Sequence, residues 1–298
     1  MTDTAHVVSG RKLRDKLLVQ AAEVSASLRG RNLPPRLAVV LVGENPASLV
    51  YVQSKMKAAE SCGIDSTLLT LPAQTDQATL NTTIEQLNTD PSVNGILLQL
   101  PLPSHLDRDT ALDAISPAKD VDGLTPTNVG LLELKRDGLK PCTPLGIMRI
   151  LESIGTKLKG IDAVMIGRSD LVGRPMASLL AQEEATVTMC HRYTKDIGLY
   201  LKSADLVIVA AGSPELVKGK QLKPGATVID VGITPVTDDE GKRRILGDCA
   251  FDSCKDVAAY ITPVPGGVGP MTVASLMTNT LDATCRQHGL PLPEWKIR

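Results

Sequence analysis

The sequence feature that most constrains the fold is an alternation of short apolar runs with stretches of helical periodicity. Such an alternation is typical of parallel strands joined by helical crossovers, so it predicts an α/β fold. The predicted strands span 37–42, 67–71, 95–100, 163–166, 186–190, 206–210 and 228–231. The predicted helices span 11–28, 48–62, 77–88, 145–154, 174–184 and 270–285.

The length of the chain indicates two domains, because 298 residues with 43% apolar content suffice for two ordinary cores. The turn-forming stretch DGLKPCTP places the boundary near 140–146. We therefore predict a first domain of residues 1–143, against which a C-terminal helix within 271–298 packs back. Residues 144–270 form the predicted second domain.

Charge, hydropathy and cysteine spacing exclude several functional classes. The net charge is −1, so no overall field favours nucleic acid or an anionic membrane as a partner. No stretch reaches the roughly 18 apolar residues of a membrane span. The six cysteines form no CxxC pair or Cys/His cluster, and we predict no metal. The N-terminus shows no signal or transit pattern, which favours a cytoplasmic protein with reduced thiols.

A glycine-containing loop follows the predicted strand 163–166 and leads directly into a helix. In GRSDLVGRP, Gly167 and Gly173 flank Ser169. Such a junction directs backbone N–H groups and a helix dipole at an anion, as a dinucleotide pyrophosphate requires. Because Ser169 occupies the position of the middle glycine of GxGxxG, an ordinary tight turn remains an alternative.

The residues after the next strand, 186–190, bear on the choice between NAD and NADP. A carboxylate at such a strand end binds the ribose of NAD, whereas an arginine accommodates the additional phosphate of NADP. Here Arg192 follows that strand and Arg168 lies in the glycine loop, so the sequence predicts NADP. A single arginine is by default a solvated charge, and Asp196 is the nearby acid that would reverse the preference. We assign the adjacent His191 no role.

A tyrosine and a lysine lie four residues apart on the second predicted helix, so that Tyr51 and Lys55 share one face. A phenol beside an amine suits proton transfer, because burial and a cationic ligand can each lower a lysine pKa toward neutrality. The same spacing also arises by chance on many solvated helix faces.

Further polar groups and a flexible segment lie at predicted strand ends. Gln99 ends an otherwise apolar strand, either as a ligand contact or as an amide satisfied by neighbouring backbone. In KDVDG, Asp120 and Asp122 indicate either an Asx-type turn or a carboxylate that receives two donors from a heterocycle. The glycines of 261–272 would let a flat ligand approach the backbone closely.

Seven segments of the sequence form an ordered set of motifs. They are YVQSK at 51–55, GILLQLPLP at 95–103, KDVDG at 119–123, PCTPLG at 141–146, GRSDLVGRP at 167–175, DVGI at 230–233 and ITPVPGGVGPMT at 261–272. The set resembles the bifunctional methylenetetrahydrofolate dehydrogenase and methenyltetrahydrofolate cyclohydrolase family over nearly the whole chain. The resemblance implies two α/β domains, the second Rossmann-like, with the active site in the cleft between them. It also implies a homodimer.

The resemblance implies an activity and a set of site residues. The enzyme would oxidise methylenetetrahydrofolate with NADP and then hydrolyse the methenyl product to formyltetrahydrofolate. Lys55 would transfer protons in the hydrolysis, Gln99 would hydrogen-bond it, Tyr51 would pack against the folate, and Asp122 would bind the pterin. The remaining folate contacts would be Leu100, Pro265, Gly266, Gly267, Val268, Gly269 and Pro270. The NADP contacts would be Gly167, Arg168, Ser169, Gly173, Arg192 and Ile233.

The chain also departs from the family pattern, and two other readings remain open. Ala118 replaces a common acid, and Cys249 with Ala250 gives GDCAF in place of GDVDF. A short-chain dehydrogenase also carries a Tyr and Lys four residues apart, but its glycine loop precedes the Tyr. Here the loop follows Tyr51 by more than a hundred residues. The other alternative is a catalytically silent NADP-sensing protein.

Overall fold

The computed structural model describes residues 4–237, 241 and 243–297, which form two compact units. One unit holds the described residues up to Arg14, then Thr143–Thr272 and Ile297. The other holds Asp15–Cys142 and Val273–Lys296. We call these the nucleotide unit and the Lys55 unit.

The strands are parallel except for one hairpin, and the helices connect them. The strands are β1 (His6–Val7), β2 (Arg36–Val42), β3 (Asp65–Leu71), β4 (Gly95–Leu98), β5 (Asp162–Ile166), β6 (Thr186–Cys190), β7 (Leu206–Val209), β8 (Thr227–Asp230), β9 (Thr234–Thr237), β10 (Arg243–Leu246) and β11 (Tyr260–Ile261). The α-helices are α1 (Gly10–Gly30), α2 (Pro46–Ser61), α3 (Gln77–Thr89), α4 (Arg108–Asp113), α5 (Pro126–Glu133), α6 (Cys142–Ser153), α7 (Gly173–Gln182), α8 (Gly198–Leu201), α9 (Phe251–Lys255) and α10 (Val268–Gln287).

The Lys55 unit is built on a parallel sheet of order β3-β2-β4. Its central strand, RLAVVLV, is apolar on both faces because helices cover both. Val39 joins a cluster that includes Met277 of α10, whereas Val40 joins a second cluster with Leu80 of α3. Alternate residues of β2 therefore pack into two hydrophobic cores, one on each face of the sheet. Polar groups can lie at the carboxyl end of the strand, beyond these cores.

The nucleotide unit is built on a parallel six-stranded sheet of order β1-β11-β8-β7-β5-β6. From β5 the chain first proceeds to β6 on one side and then to β7 on the other. Ligands of doubly wound folds bind outside the carboxyl ends of the strands at such a reversal. The sheet thus places a binding crevice after β5 and β7.

The structure differs from the sequence prediction mainly in short elements. The hairpin β9–β10 and the helices α4, α5, α8 and α9 were not predicted. These elements are four to eight residues long, which is too short to show a clear hydrophobic period. Residues 1–143 were predicted as one domain, but β1 pairs with β11 in the sheet of the nucleotide unit. No helix in the described part of the chain is long and apolar enough to cross a membrane.

Candidate active site

The amine predicted for proton transfer and the amide at the strand end meet in the Lys55 unit. Lys55 Nζ donates to Gln99 Oε1 at 2.9 Å. Two further hydrogen bonds fix the glutamine. Gln99 Nε2 donates to the Leu100 carbonyl at 2.6 Å, and the backbone N–H of Gln99 donates to Val40 O. Gln99 is 8% exposed, so its Oε1 is a fixed acceptor directed at the lysine. The amide therefore orients the ammonium group.

The two carboxylates of KDVDG have different environments. Asp120 is buried and accepts from the backbone N–H groups of Leu124 and Thr125 and from Asn128 Nδ2, at 3.1, 2.8 and 2.9 Å. These bonds form the turn that leads into α5. The turn interpretation therefore describes Asp120, which leaves Asp122 for a different role.

The Asp122 carboxyl lies within the electrostatic influence of Lys55. Burial raises its pKa, the Lys55 ammonium lowers it, Asp120 raises it, and a hydrogen bond with the Cys142 thiol lowers it. Burial likewise raises the pKa of the Cys142 thiol well above its ordinary value. The lysine, the amide and this carboxyl thus form one polar cluster, which we call the Lys55 cluster.

The last helix holds the backbone next to this carboxylate and a second segment that packs against it. Asn279 of α10 is buried, and its Nδ2 donates to Val121 O at 2.9 Å and to Lys140 O at 2.8 Å. Gly123 allows the close approach, since a Cβ there would lie 2.4 Å from the Lys140 carbonyl carbon at a φ of +70°. One amide side chain therefore fixes the loop that carries Asp122.

Tyr51 lies one helical turn before Lys55 on α2 and is 39% exposed. Burial of part of the ring raises the pKa of its phenol. A neutral, partly exposed tyrosine ring is better suited to packing against a flat ligand than to proton transfer.

The segment 265–270 belongs to the nucleotide unit. Gly267 is buried, and a Cβ on Gly10 would lie 1.7 Å from its carbonyl oxygen. Close packing against this carbonyl thus explains Gly10, whereas a Cβ on Gly267 itself would lie 2.6 Å from Pro263 O. Pro265 and Gly269 are exposed, while Val268 is buried at the start of α10.

A cavity of about 790 Å³ lies at the carboxyl ends of β5, β6 and β7. Its walls come from the three loops that follow these strands and from a short segment further along the chain. The lining includes Gly167, Arg168, Ser169, His191, Arg192, Thr194, Lys195, Asp196, Ala210, Ala211, Ser213 and Gln221. It is the crevice that the strand order predicts.

Two glycines of the loop after β5 have backbone positions that exclude a side chain. Gly167 has a φ of +117°, and a Cβ there would lie 2.2 Å from Ala210 O. A Cβ on Gly173 would lie 2.3 Å from Gly167 O. Ser169 Oγ accepts from Val172 N and Gly173 N, at 3.2 and 3.4 Å, and so ties the loop to the start of α7. A junction of strand, glycine loop and helix of this kind can bind the pyrophosphate of a dinucleotide.

The rim of the cavity carries cationic groups. The Arg192 guanidinium lies 4.7 Å from the Tyr193 ring centroid, and its Nη2 donates to Tyr193 Oη at 2.8 Å. Arg168 and Lys195 are exposed on the same lining. His191 Nδ1 accepts from Tyr193 N at 3.2 Å, which gives that histidine a role in shaping the loop. Cations around a cavity of this size fit a phosphorylated dinucleotide.

Sequence reasoning missed several residues of the site. Ala211 and Ser213 follow β7 and line the cavity, but small residues after a strand carry no signal of their own. Lys195 lies three residues after Arg192 in the same loop, so its charge and position are the sequence signal for it. Asp230 and Asp248 lie outside the cavity lining and are buried, and the sequence showed them only as members of the DVGI and GDCAF motifs.

The fold and these sites define a two-unit α/β protein in which one unit has a Rossmann-like dinucleotide-binding site. Residues 8–122 match the family model of the tetrahydrofolate dehydrogenase/cyclohydrolase catalytic domain. Residues 141–288 match that of the tetrahydrofolate dehydrogenase/cyclohydrolase NAD(P)-binding domain. The chain therefore belongs to the tetrahydrofolate dehydrogenase/cyclohydrolase family.

Individual relatives support the same assignment. The chain is 49% identical to bifunctional protein FolD 2 of Roseobacter denitrificans, over 97% of this chain and 98% of the relative. The structure of FolD from Campylobacter jejuni superposes with a TM-score of 0.91 at 46% identity, covering 95% of this chain and 99% of that one. FolD of Trypanosoma brucei, complexed with NADP and an inhibitor, has a TM-score of 0.91 at 42% identity, with coverages of 95% and 98%.

Proposed function

We propose that the chain catalyses two consecutive reactions in tetrahydrofolate one-carbon metabolism, with the Lys55 cluster as its proton-transfer site. The first is oxidation of methylenetetrahydrofolate with NADP, and the second is hydrolysis of the methenyl product to formyltetrahydrofolate. The observation that carries the assignment of residues is the hydrogen bond of 2.9 Å between Lys55 Nζ and Gln99 Oε1.

The oxidation requires little from the protein except alignment. The carbon that loses hydride is bonded to two nitrogens whose lone pairs stabilise the resulting cation, so no strong base is needed. NADP, when bound, accepts the hydride. In our proposal Gly167, Ser169 and Gly173 hold its phosphates, and Arg168 and Arg192 supply positive charge. Ile233, which is 51% exposed, offers an apolar surface to the nicotinamide end.

The hydrolysis requires a proton-transfer group. Water adds to the methenyl carbon, and the added oxygen loses both of its protons as it becomes the formyl oxygen. One C–N bond breaks as its nitrogen gains one proton, and the other proton is released to solvent. A lysine that alternates between amine and ammonium can carry the proton between these two positions. Gln99 Oε1 accepts from the amine and fixes its direction, and the cationic substrate favours the neutral amine.

Folate binding completes the proposed site. The Asp122 carboxyl would accept hydrogen bonds from the donor edge of the pterin. The electrostatic interaction of Asp122 with Lys55 supports a place for both residues in one site. Tyr51 would pack against the ring system. Leu100 and the segment 265–270 would supply the remaining contacts.

The preference for NADP over NAD rests on the cations of the cavity rim. Arg192 is held by its own neighbour, Tyr193, and therefore loses less conformational freedom when it binds a phosphate. Asp196, which would favour NAD, has its Oδ1 engaged by Gly198 N at 2.8 Å. Both observations support NADP.

The state and location of the protein belong to the same proposal. We propose a homodimer, as the family resemblance implies. Sedimentation equilibrium should then give the mass of two chains, and the mass of one chain would contradict the proposal. We also place the protein in the cytoplasm. All six of its cysteines are unpaired, and free thiols persist in reducing compartments.

One assay tests the two reactions together. Purified protein is mixed with NADP and methylenetetrahydrofolate, and the absorbances of reduced cofactor and of the methenyl product are followed. We expect reduced cofactor to accumulate while the methenyl signal rises and then decays. A methenyl signal that rises without decay would contradict the proposed hydrolysis. If the protein binds NADP but does not reduce it, the alternative of a catalytically silent NADP-sensing protein is favoured.

A further inference from the structure

Two buried carboxylates of the nucleotide unit have no part in the chemistry described above. Asp230 ends β8 and is 3% exposed, while Asp248 lies after β10 and is 0% exposed. A buried carboxylate is costly unless it is well hydrogen-bonded, so its partners indicate its purpose.

The partners of Asp248 lie in the wall of the nucleotide cavity. Its Oδ2 accepts from Ala211 N at 2.6 Å and from Gly212 N at 2.9 Å, and its Oδ1 accepts from Ser213 N at 2.8 Å. Three consecutive backbone N–H groups of the loop after β7 therefore converge on one carboxylate. Ala211 and Ser213 line the cavity, whereas Asp248 does not.

The second carboxylate fixes the first. Asp230 Oδ1 accepts from Asp248 N at 2.9 Å, and Oδ2 accepts from Cys249 N at 2.8 Å. Asp230 Oδ1 also accepts from Gly232 N at 2.9 Å. The same pair thus connects the loop after β7 with the segment that leads to Ile233.

Two glycines make room for these carboxylates. A Cβ on Gly232 would lie 2.5 Å from Asp248 Cγ, and a Cβ on Gly247 would lie 2.1 Å from Asp230 Oδ2. The DVGI and GDCAF segments therefore interlock, each supplying a carboxylate and a glycine that accommodates the other carboxylate.

We propose that Asp248 is a positioning residue for NADP binding, which holds the backbone of 211–213 in the shape that the cofactor contacts. This inference rests on the proposed function for the identity of the dinucleotide. The outer part of the same loop has its own support, because Glu215 N donates to Gly247 O and Val217 N donates to Asp248 O. Only the backbone of 211–213 depends on the Asp248 carboxylate.

The substitution Asp248→Asn tests the role with little change of size. In either orientation the amide directs an NH₂ group at one or two backbone N–H donors, so hydrogen bonds are lost and the loop loosens. If the competent loop conformation falls to about one tenth of the population, the Kd of NADP rises about tenfold. Asp252→Asn makes the same chemical change at an exposed site four residues away and serves as the control.

Three measurements distinguish positioning from general structural damage. For Asp248→Asn we expect a Kd of NADP, by calorimetry, at least tenfold higher than for wild type. Hydrolysis of added methenyltetrahydrofolate, which uses no NADP, should be unchanged. Amide hydrogen exchange should accelerate at 211–213 but not at Glu215 and Val217. An unchanged Kd in folded protein, or faster exchange throughout the unit with loss of both activities, would overturn the proposal.

Wild-type protein provides a test that does not depend on the variant. The amides of 211–213 should already be protected from exchange without NADP, because the carboxylate holds them in advance. Rapid exchange at these amides in the free protein would refute the role of Asp248 even if Asp248→Asn failed to fold. Failure of the proposed function is a separate result, seen as wild-type protein that neither binds nor reduces NADP.

Discussion

At the scale of single residues, the proposed role of Lys55 predicts different effects of its substitution on the two reactions. We expect Lys55→Met to lower the rate of methenyltetrahydrofolate hydrolysis by about 10²- to 10⁴-fold, the usual contribution of a positioned acid–base group. Hydride transfer needs no such group and should decline far less. Both rates are measured on the same preparation with saturating substrates.

The exposed Lys57 on the same helix offers a matched control, since Lys57→Met removes an equal charge outside the cluster. Loss of the two activities to the same degree in folded, NADP-binding Lys55→Met would contradict this division. So would an equal effect of Lys57→Met.

The proposed role of Arg192 in the preference for NADP gives a second prediction for a single residue. Arg192→Gln keeps much of the side-chain length but removes the charge, so the Kd of NADP should rise about tenfold or more, as expected for a lost charge-assisted hydrogen bond of about 1.5 to 3 kcal/mol. The Kd of NAD, which lacks the additional phosphate, should barely change. Calorimetric titration with each nucleotide measures both values, with the exposed Lys202→Gln as control. Equal weakening of NAD and NADP would assign Arg192 to a different part of the dinucleotide.

The sequence allowed some of these residues to be predicted and concealed others for a physical reason. The helix face and the strand end made Lys55 and Gln99 candidates, but their predicted roles came from the resemblance of the ordered motifs to the family. Asp248 was not predicted, because its role depends on three N–H groups of residues 211–213, more than thirty positions earlier. Contacts between distant segments have no period that a local pattern can reveal.

At the scale of elements, α10 supports the loop that carries Asp122. Asn279→Leu would leave Lys140 O without this donor and would leave Val121 O with only the Cys142 thiol as donor. We expect a loss of about 2 to 4 kcal/mol in the free energy of unfolding, from about 1 to 3 for the unsatisfied carbonyl and about 1 for the other lost hydrogen bond. Hydrolysis should weaken as well, because the Asp122 loop loses its anchor. Urea unfolding and the hydrolysis assay measure the two effects.

The control for this prediction comes from the same helix. Thr284 is also buried, but its hydroxyl donates to Thr280 O within α10, so Thr284→Val leaves the loop untouched. We expect that change to cost less than about 1.5 kcal/mol, the net value of one ordinary hydrogen bond. An Asn279→Leu protein as stable as Thr284→Val would show that the two carbonyls do not depend on Asn279.

Elements long enough to show a period were predictable, and short ones were not. The apolar run of β2 and the amphipathic α7 appear at the predicted positions within a few residues. The two-residue strands β1 and β11 exist because backbone groups of distant segments pair at the sheet edge. That pairing, and not local composition, also places the N-terminal residues in the nucleotide unit.

At the scale of the whole molecule, the buried carboxylate pair makes stability depend on pH in an unusual direction. Burial raises the pKa of Asp230 from 3.8 to about 6, three backbone N–H groups partly offset that rise, and Asp248 adds to it. The folded protein therefore binds this proton more tightly than the unfolded chain does. The resulting stabilisation is complete below the unfolded pKa and is lost as the pH rises through about 6.

Other carboxyls act in the opposite direction and in a different window. Hydrogen bonds lower the pKa of Asp76, Asp107 and Asp205 below 3.8, so their stabilisation is present above that value and is lost as the pH falls below it. Between about pH 5 and pH 6 these groups are almost fully ionised in both the folded and the unfolded state. Burial also raises the pKa of Asp122, which therefore acts in the same direction as Asp230, so the Asp230 contribution must be isolated by substitution.

Comparison of wild type with Asp230→Asn isolates this contribution, because the amide does not titrate. A shift of about two units corresponds to a change on the order of 3 kcal/mol, so the free energy of unfolding of wild type relative to the variant should fall by about that amount from pH 4 to pH 7. Urea unfolding at several pH values measures the difference, and the exposed Asp252→Asn should follow wild type throughout. Parallel curves for wild type and Asp230→Asn would mean that Asp230 is ionised across this range in the folded protein. In that case its three N–H donors fully compensate for burial, and the carboxylate pair holds the cavity wall at no cost in stability near neutral pH.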